Sequence, residues 1–302
     1  MAIILANDSM DQNAANTLRE KGHELIEHHY NLDELKDKIK EIDALIVRSA
    51  TKVREKLIDE AVKGGKLKLI IRAGVGLDNI DVNYAKSKGI KVKNTPNSSS
   101  RAVAELAIGQ MISLSRYTYI ANVTMREGQW NKKQYKGSEL LDKSLGLIGF
   151  GRMAKETAKL AEALGMKIFY TNRSGPKEGY ENYSYKDTDD LLKESDYISL
   201  HVPFNKEKGA VLGKDQFDKM KNGVFIVNCA RGGVVDEEAL LEALDSGKVA
   251  AAAVDVFEEE PTPNKKLYTH PKVALTPHIG GSTKESQGRI GKEIVSIVDE
   301  LF

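Results

Sequence analysis

Short apolar, β-rich runs alternate with stretches of helical hydrophobic spacing along almost the whole chain. That alternation is the pattern of a parallel sheet wrapped by crossover helices, so the fold class is α/β. In the first third it predicts strands at Ile3–Ala6, Ala44–Val47, Leu69–Ile71 and Lys91–Lys93, with helices near Gln12–Lys21, Asp33–Ile39, Glu55–Val62 and Asp81–Ser87. These make one small α/β unit. At Asn94–Ser100 (N-T-P-N-S-S-S) the composition turns to proline and small polar residues, which marks a linker and a domain boundary. A long helical stretch follows from Arg101 towards Met125. A second doubly wound series then runs through Ser144–Ile148, Lys167–Tyr170, Tyr197–His201, Val224–Asn228, Ala250–Asp255 and Val273–Leu275. Asp236, Glu237 and Glu238, with Gly247 closing Leu240–Ser246, supply an N-cap, an acidic first turn and a glycine stop for one of its helices. An amphipathic helix from about Thr283 to Leu301 ends the chain.

The length of 302 residues favours two domains over one. Forty-five basic residues against 44 acidic ones leave a net charge of +1, and no block of like charge stands out. Neither nucleic acid nor an anionic membrane is therefore expected as a partner, and the ligand should be small. Met1–Met10 has no basic leader and reads as a first strand, and the apolar stretch Val249–Val254 is too short to span a bilayer, so a soluble cytoplasmic protein is expected. The lone Cys229 rules out an intramolecular disulfide and a cysteine-based zinc site. His23, His28 and His29 lack a helical metal-binding spacing and read as surface histidines, so no metal is expected. The stretch Arg101–Met125 carries Leu106, Ile108, Met111, Ile112, Leu114, Tyr117, Tyr119 and Ile120, more apolar faces than packing on one sheet requires. The excess predicts a partner surface and a homodimer.

Two features carry chemistry. In Lys143–Ala154 (K-S-L-G-L-I-G-F-G-R-M-A) an apolar strand runs into Gly149-Phe150-Gly151-Arg152-Met153-Ala154 and then into a helix. Gly149 permits the tight turn, Gly151 lets backbone amides approach a pyrophosphate, and small Ala154 stands where a third glycine would allow close helix–strand packing. The helix N-terminus attracts the anion. The next strand ends in Asn172-Arg173-Ser174, with no carboxylate to bond a ribose 2′-hydroxyl and repel a 2′-phosphate. NAD is the expected cofactor and NADP stays open, with Arg173 either a solvated side chain or a phosphate contact.

Downstream, Asn228–Gly233 (N-C-A-R-G-G), Asp255–Pro261 (D-V-F-E-E-E-P) and Pro277–Thr283 (P-H-I-G-G-S-T) supply Arg231, Glu260 and His278. An arginine grips a carboxylate and an adjacent carbonyl, and a histidine moves a proton near neutrality. A carboxylate beside that histidine keeps its imidazolium form accessible. This is the equipment of a hydride-transfer enzyme, provided the fold gathers several strand ends.

Val47–Lys52 (V-R-S-A-T-K), Arg72–Asp81 (R-A-G-V-G-L-D-N-I-D), Asn94–Pro96, the Gly149 loop, His201-Val202-Pro203, Asn228–Gly233, Asp255–Pro261 and Pro277–Ser282 together resemble the D-isomer-specific 2-hydroxyacid dehydrogenases over the whole chain. Among these the resemblance is strongest to members acting on 3-phosphoglycerate. It implies that Arg231 holds the substrate carboxylate and carbonyl, that His278 is the acid/base and that Glu260 is its partner. It implies a Rossmann-type nucleotide domain, residues 96–282, inserted in a flavodoxin-like substrate domain of residues 1–95 plus 283–302. Val75, Gly149, Gly151, Arg152, Met153, Asn172, Arg173, His201, Val202, Pro203, Cys229, Ala230, Asp255, Gly280 and Gly281 are then cofactor contacts, with Asp255 on the nicotinamide side. Arg48, Lys52, Arg72, Ala73 and Gly74 offer cationic and amide donors for a phosphorylated hydroxy acid, and Lys132 resembles a contact made from a neighbouring subunit. Arg48, Lys52, Arg72 and Lys132 each read equally well as ordinary surface charges. The alternative substrates are glyoxylate, hydroxypyruvate or another 2-keto acid, and a third reading is a dinucleotide-sensing protein of the corepressor type. Many relatives carry a serine-binding regulatory extension, and with the chain ending at Phe302 that control is expected to be absent.

Overall fold

The computed structural model describes residues 1–302, which divide into two units: Met1–Ser99 with Gly281–Phe302, and Ser100–Gly280. The seams fall a few residues from the expected 95/96 and 282/283. Ser100 already opens a helix of the second unit, and Gly281 lies against Ser99, where a Cβ would stand 3.5 Å from that serine's.

The first unit contains β1 (Ile3–Ala6), α1 (Gln12–Glu20), β2 (Glu24–Glu27), α2 (Leu32–Lys38), β3 (Ala44–Val47), α3 (Glu55–Gly64), β4 (Leu69–Arg72), α4 (Val82–Ser87) and β5 (Lys91–Asn94). All five strands are parallel, in the order β2-β1-β3-β4-β5, the flavodoxin-like arrangement. Period-two alternation splits the sheet's side chains between two cores. Leu5, Leu45, Val47 and Ile70 meet Leu35, Leu57 and Ile58 on one face. Ile4, Ile46, Leu69 and Ile71 meet Ile290, Ile294 and Val298 on the other. Those last three belong to α12 (Lys284–Asp299), which Thr283 caps by accepting the Ser286 N–H. Each fully buried aliphatic side chain contributes about 1.5–3 kcal/mol. Gly291 lets α12 lie close on α1, because a Cβ there would stand 2.6 Å from that of Ala14.

In the second unit α5 (Ser100–Arg116) and α6 (Thr118–Arg126) precede β6 (Ser144–Ile148), α7 (Arg152–Ala163), β7 (Lys167–Thr171), β8 (Ser184–Tyr185), α8 (Thr188–Glu194), β9 (Tyr197–Leu200), α9 (Lys214–Lys219), β10 (Val224–Asn228), α10 (Glu237–Asp245), β11 (Val249–Val254), α11 (Lys265–Tyr268) and β12 (Val273–Leu275). The seven parallel strands run β12-β11-β10-β9-β6-β7-β8. Chain direction across the sheet reverses at β6, which makes the carboxyl ends of β6 and β9 the switch point where ligands of such sheets bind. Helices α5 and α7 cover one face through Met111, Leu114, Ala154 and Ala158. Leu191, Phe217, Leu240 and Leu244, from α8 to α10, cover the other.

Several expectations are corrected. The stretch expected as one helix breaks at Tyr117, whose φ is 55°, a left-handed conformation that ends α5 and starts α6. The Tyr117 ring stacks on Tyr135 at 5.8 Å, a tertiary contact that no local pattern announces. Its apolar residues also divide: Met111 and Leu114 are fully buried, while Ile112, Val123 and Met125 are exposed. Strands β2 and β8 escaped the pattern because neither has a continuous apolar run. His23 is buried, its Nδ1 accepting the Ala2 N–H at 3.2 Å, whereas His28 and His29 are exposed as expected. No helix is long and apolar enough to cross a membrane.

Candidate active site

Most of the residues singled out in the second unit stand at the carboxyl ends of its parallel strands. β6 leads into Gly149, whose φ of 88° only glycine adopts freely, and a Cβ there would fall 2.6 Å from the His201 carbonyl oxygen. Gly151 is the N-cap of the 12-residue α7, with no side-chain cap, and its missing Cβ would point into open space. No side chain caps the first turn at Arg152 and Met153, and the loop fits a dinucleotide pyrophosphate. Ala154 is fully buried against the sheet, the close packing expected of a third small residue. At the end of β7, Asn172 Nδ2 donates to Ser174 Oγ at 2.8 Å and leaves its amide oxygen for a ligand, while Arg173 is exposed.

His201-Val202-Pro203 follows β9. Desolvation of the His201 ring pushes its pKa down to about 4, so it is neutral at working pH, with Nε2 3.0 Å from Ser199 Oγ. After β10, Asn228 folds the next turn: its Nδ2 donates to the Arg231 carbonyl and its Oδ1 accepts the Ala230 N–H, both at 3.1 Å. Cys229 is buried, and burial together with the Asp255 charge pushes its thiol well up, so it is not a nucleophile.

Arg231, Glu260 and His278 stand near one another. Glu260 Oε2 lies 2.8 Å from His278 Nδ1, and Oε1 accepts the Phe257 N–H at 3.2 Å. Burial pushes the Glu260 carboxyl up, but the hydrogen bond and charge of His278, the Phe257 amide and the Arg231 charge outweigh it and hold the group below the usual carboxylate range. Gly232 joins the two loops, since a Cβ there would fall 1.7 Å from the Phe257 carbonyl oxygen. With Nδ1 facing Glu260, Nε2 is the nitrogen His278 has left for a substrate.

His278 itself sits at φ 53°, a costly conformation for a non-glycine residue. Asp255 stabilises it. This aspartate is buried, its Oδ1 accepting from Thr276 Oγ1 at 2.6 Å and Ile279 N at 2.9 Å, its Oδ2 from Gly280 N at 2.9 Å. The carboxylate thus brackets His278 on both sides. Thr276, Asn228 and Gly232 were not singled out in the sequence, although each stands in or beside a motif that was.

The first unit holds the remaining candidates. Arg48 and Lys52 follow β3 on a loop fastened by Asp8, which accepts the Arg48 N–H at 2.7 Å, the Thr51 N–H at 3.0 Å and the Thr51 hydroxyl at 2.5 Å. Asn79 Nδ2 donates to the carbonyls of Arg48 and Thr51, both at 2.7 Å. Neither the Arg48 guanidinium nor the Lys52 ammonium has an ion-pair partner in the structure. After β4, Gly74 leaves room for the Arg72 guanidinium, Gly74 N bonds the Arg72 carbonyl, and Asn94 Nδ2 bonds the Val75 carbonyl at 2.6 Å. Lys132 stands apart, exposed in the turn Asn131–Gln134 beside Trp130, which is 77% exposed.

A glycine loop at the switch point of a parallel sheet, with an arginine, a glutamate and a histidine at neighbouring strand ends, defines a dinucleotide-dependent oxidoreductase. Residues 108–280 match the D-isomer specific 2-hydroxyacid dehydrogenase NAD-binding domain. Over 293 residues the chain is 50% identical to the hydroxypyruvate reductase of Thermotoga maritima, covering 96% of this chain and 94% of that protein. It is 45% identical over 305 residues to the D-3-phosphoglycerate dehydrogenase of Methanocaldococcus jannaschii, a match spanning 100% of this chain but only 58% of that protein. Among solved structures, a glyoxylate reductase from Paecilomyes thermophila superposes with a TM-score of 0.87 at 33% identity, over 99% of this chain and 94% of that one. The chain belongs to the D-isomer specific 2-hydroxyacid dehydrogenase family and is an oxidoreductase with that family's NAD-binding domain.

Proposed function

We propose that the protein interconverts 3-phosphoglycerate and 3-phosphohydroxypyruvate. Arg231 holds the substrate carboxylate and polarises the C2 carbonyl, which serves orientation and charge stabilisation together. His278 Nε2 gives its proton to the C2 oxygen in reduction and takes it back in oxidation, and ionised Glu260 supports the imidazolium. Bound at the Gly149–Met153 loop, the nicotinamide cofactor supplies or accepts the hydride. Asp255, read in the sequence as a nicotinamide-side residue, also holds the His278 loop through both its oxygens.

The observation that carries the phosphorylated substrate is the fastened Arg48–Lys52 loop with its two uncommitted cations. The likeness to a hydroxypyruvate reductase over nearly the whole of both chains favours a second reading, in which the substrate has no phosphate. Consumption of NADH with the two keto acids decides between them. If the loop reads a phosphate, phosphohydroxypyruvate has much the higher kcat/KM, and Arg48→Gln or Lys52→Gln erases that preference at about 1.5–3 kcal/mol per lost charge-assisted bond. Equal efficiency in the unmodified protein selects the second reading.

For the cofactor we propose NAD use with weak discrimination against NADP, supported by the absence of a carboxylate at Asn172 and by the exposed Arg173 and Ser174 beside it. Asn172→Asp should depress kcat/KM with NADPH far more than with NADH, since the new charge repels only the 2′-phosphate. An NADH-to-NADPH ratio untouched by the substitution would show that Asn172 does not face the ribose.

A further inference from the structure

One carboxylate that has no part in this chemistry grips the loop presenting Glu260. Glu237 opens α10, directly after the N-cap Asp236. Its Oε1 accepts the Glu258 backbone N–H at 3.0 Å, and its Oε2 accepts from Asn264 Nδ2 at 2.7 Å. Glu258 precedes Glu260 and Asn264 follows it, so a single side chain holds both arms of the loop. The far arm is fixed in turn, because Asn264 Oδ1 accepts the Leu267 N–H at 3.2 Å and caps α11. On the near arm the Phe257 carbonyl is pressed against Gly232, and the Phe257 N–H bonds Glu260.

Burial, with the charges of Glu237, Asp236 and Glu238, pushes the Glu258 carboxyl up, against the Glu237 backbone N–H that its Oε1 accepts at 3.4 Å. A neutral residue at 237 would relieve that crowding, but it would release two hydrogen bonds that no other side chain makes. Glu237 also lies on the same connection as Arg231, so the segment that carries the substrate-gripping cation also holds the partner of His278.

We infer that Glu237 is a positioning residue for the Glu260–His278 pair: by clasping the loop at Glu258 and Asn264 it sets the carboxylate against the imidazole. The inference rests on the acid/base role proposed for that pair. Glu260 is hydrogen-bonded to the His278 ring, the Arg231 charge bears on Glu260, and Glu237 acts on the ring only through Glu260.

The test compares wild type with Glu237→Ala and Glu237→Gln. The imidazole resonance of His278, assigned by its loss in His278→Asn, is titrated by NMR, and kcat/KM for reduction of hydroxypyruvate with NADH is followed against pH. Glu237→Ala should move the His278 titration to lower pH and lower kcat/KM on the order of 10–100-fold through misplacement of the pair. Its activity should also fall earlier as pH rises. Glu237→Gln keeps an acceptor for the Glu258 N–H and should recover most of the loss, and NADH binding should be unchanged in both. In a Glu260→Gln background, Glu237→Ala should shift the titration no further, because the two act as one unit. A folded Glu237→Ala protein whose His278 titrates as in wild type overturns the inference. If Glu237→Ala does not fold, Asn264→Ser, which can still cap α11 but has no amide to donate to Glu237, must move the titration in the same direction, or the inference fails. A chain that reduces no 2-keto acid, yet whose His278 titration moves in Glu237→Ala, refutes the enzymatic reading and upholds the positioning role.

Discussion

The Arg48–Lys52 loop of the first unit and the Pro277–Gly281 loop of the second are fastened by the same device. In each, an aspartate under the loop accepts one threonine hydroxyl and two backbone amides: Asp8 from Thr51 and the amides of Arg48 and Thr51, Asp255 from Thr276 and the amides of Ile279 and Gly280. What stands on the loops differs. His278 has a partner within its own unit, Glu260 at 2.8 Å, whereas Arg48 and Lys52 have no ion pair at all. The contrast fits the two tasks proposed for them. A proton carrier needs its affinity for the proton set before the substrate arrives, so its counter-charge is built in. A group that captures an anion loses affinity if an internal carboxylate already occupies it, so its cations are held in place through the backbone alone.

His278→Asn should give the largest effect and the sharpest test of that division. Loss of the proton carrier is expected to lower kcat for keto-acid reduction by about 10²–10⁴ while leaving NADH binding in place. A decline of only a few-fold would assign the proton to another group.

Exchanging the two clamps comes next. Asp255→Asn and Asp8→Asn each turn an amide NH₂ towards backbone N–H groups and should cost about 2–5 kcal/mol of stability, read as a fall in Tm or denaturant midpoint. Their functional consequences should separate, with Asp255→Asn striking kcat and Asp8→Asn chiefly raising KM for the phosphorylated substrate. If both variants lower kcat with KM unchanged, the loops do not have different tasks.

Glu260→Gln gives the smallest and most specific effect. Because its carboxyl is held below the usual range, Glu260 stays ionised across neutral pH and favours the imidazolium. Neutralising it removes the counter-charge at His278 Nδ1, so keto-acid reduction should fall off earlier as pH rises. The same lowered carboxyl contributes stability above the usual carboxylate range and loses it as pH falls through its folded-state value, so the variant should show a weaker acid destabilisation than wild type. An unchanged pH–rate profile would leave the built-in partner of His278 without function.

Much of the fold was legible because burial on both faces writes itself as continuous apolar runs: A-L-I-V, S-L-G-L-I and V-F-I-V-N coincide with β3, β6 and β10. E-L-I-E at β2 is too short and too charged to stand out, since that strand lies at the sheet's edge and pairs only with β1. The break at Tyr117 was hidden for another reason. No glycine or proline marks it, and the left-handed turn is held by packing against Tyr135. In the site, Arg231, Glu260 and His278 could be named because their chemistry is carried by residue type. Asp8, Asn79 and Glu237 could not, because their partners lie far along the chain, Arg48 and Thr51 for the first two and Glu258 and Asn264 for the third.

By itself, then, the sequence determined the α/β class, the glycine loop and the candidate groups Arg231, Glu260 and His278, all of which depend on local periodicity or on a side chain's intrinsic chemistry. Only the tertiary structure decided that Nδ1 is the His278 nitrogen engaged by Glu260, that Asp255 holds the loop carrying His278, and that Arg48 and Lys52 have no ion pair while Glu260 is paired. Those are questions of which donor meets which acceptor. In a buried network the answer is set by backbone groups that every residue carries alike, and so it is written in the geometry and not in the letters.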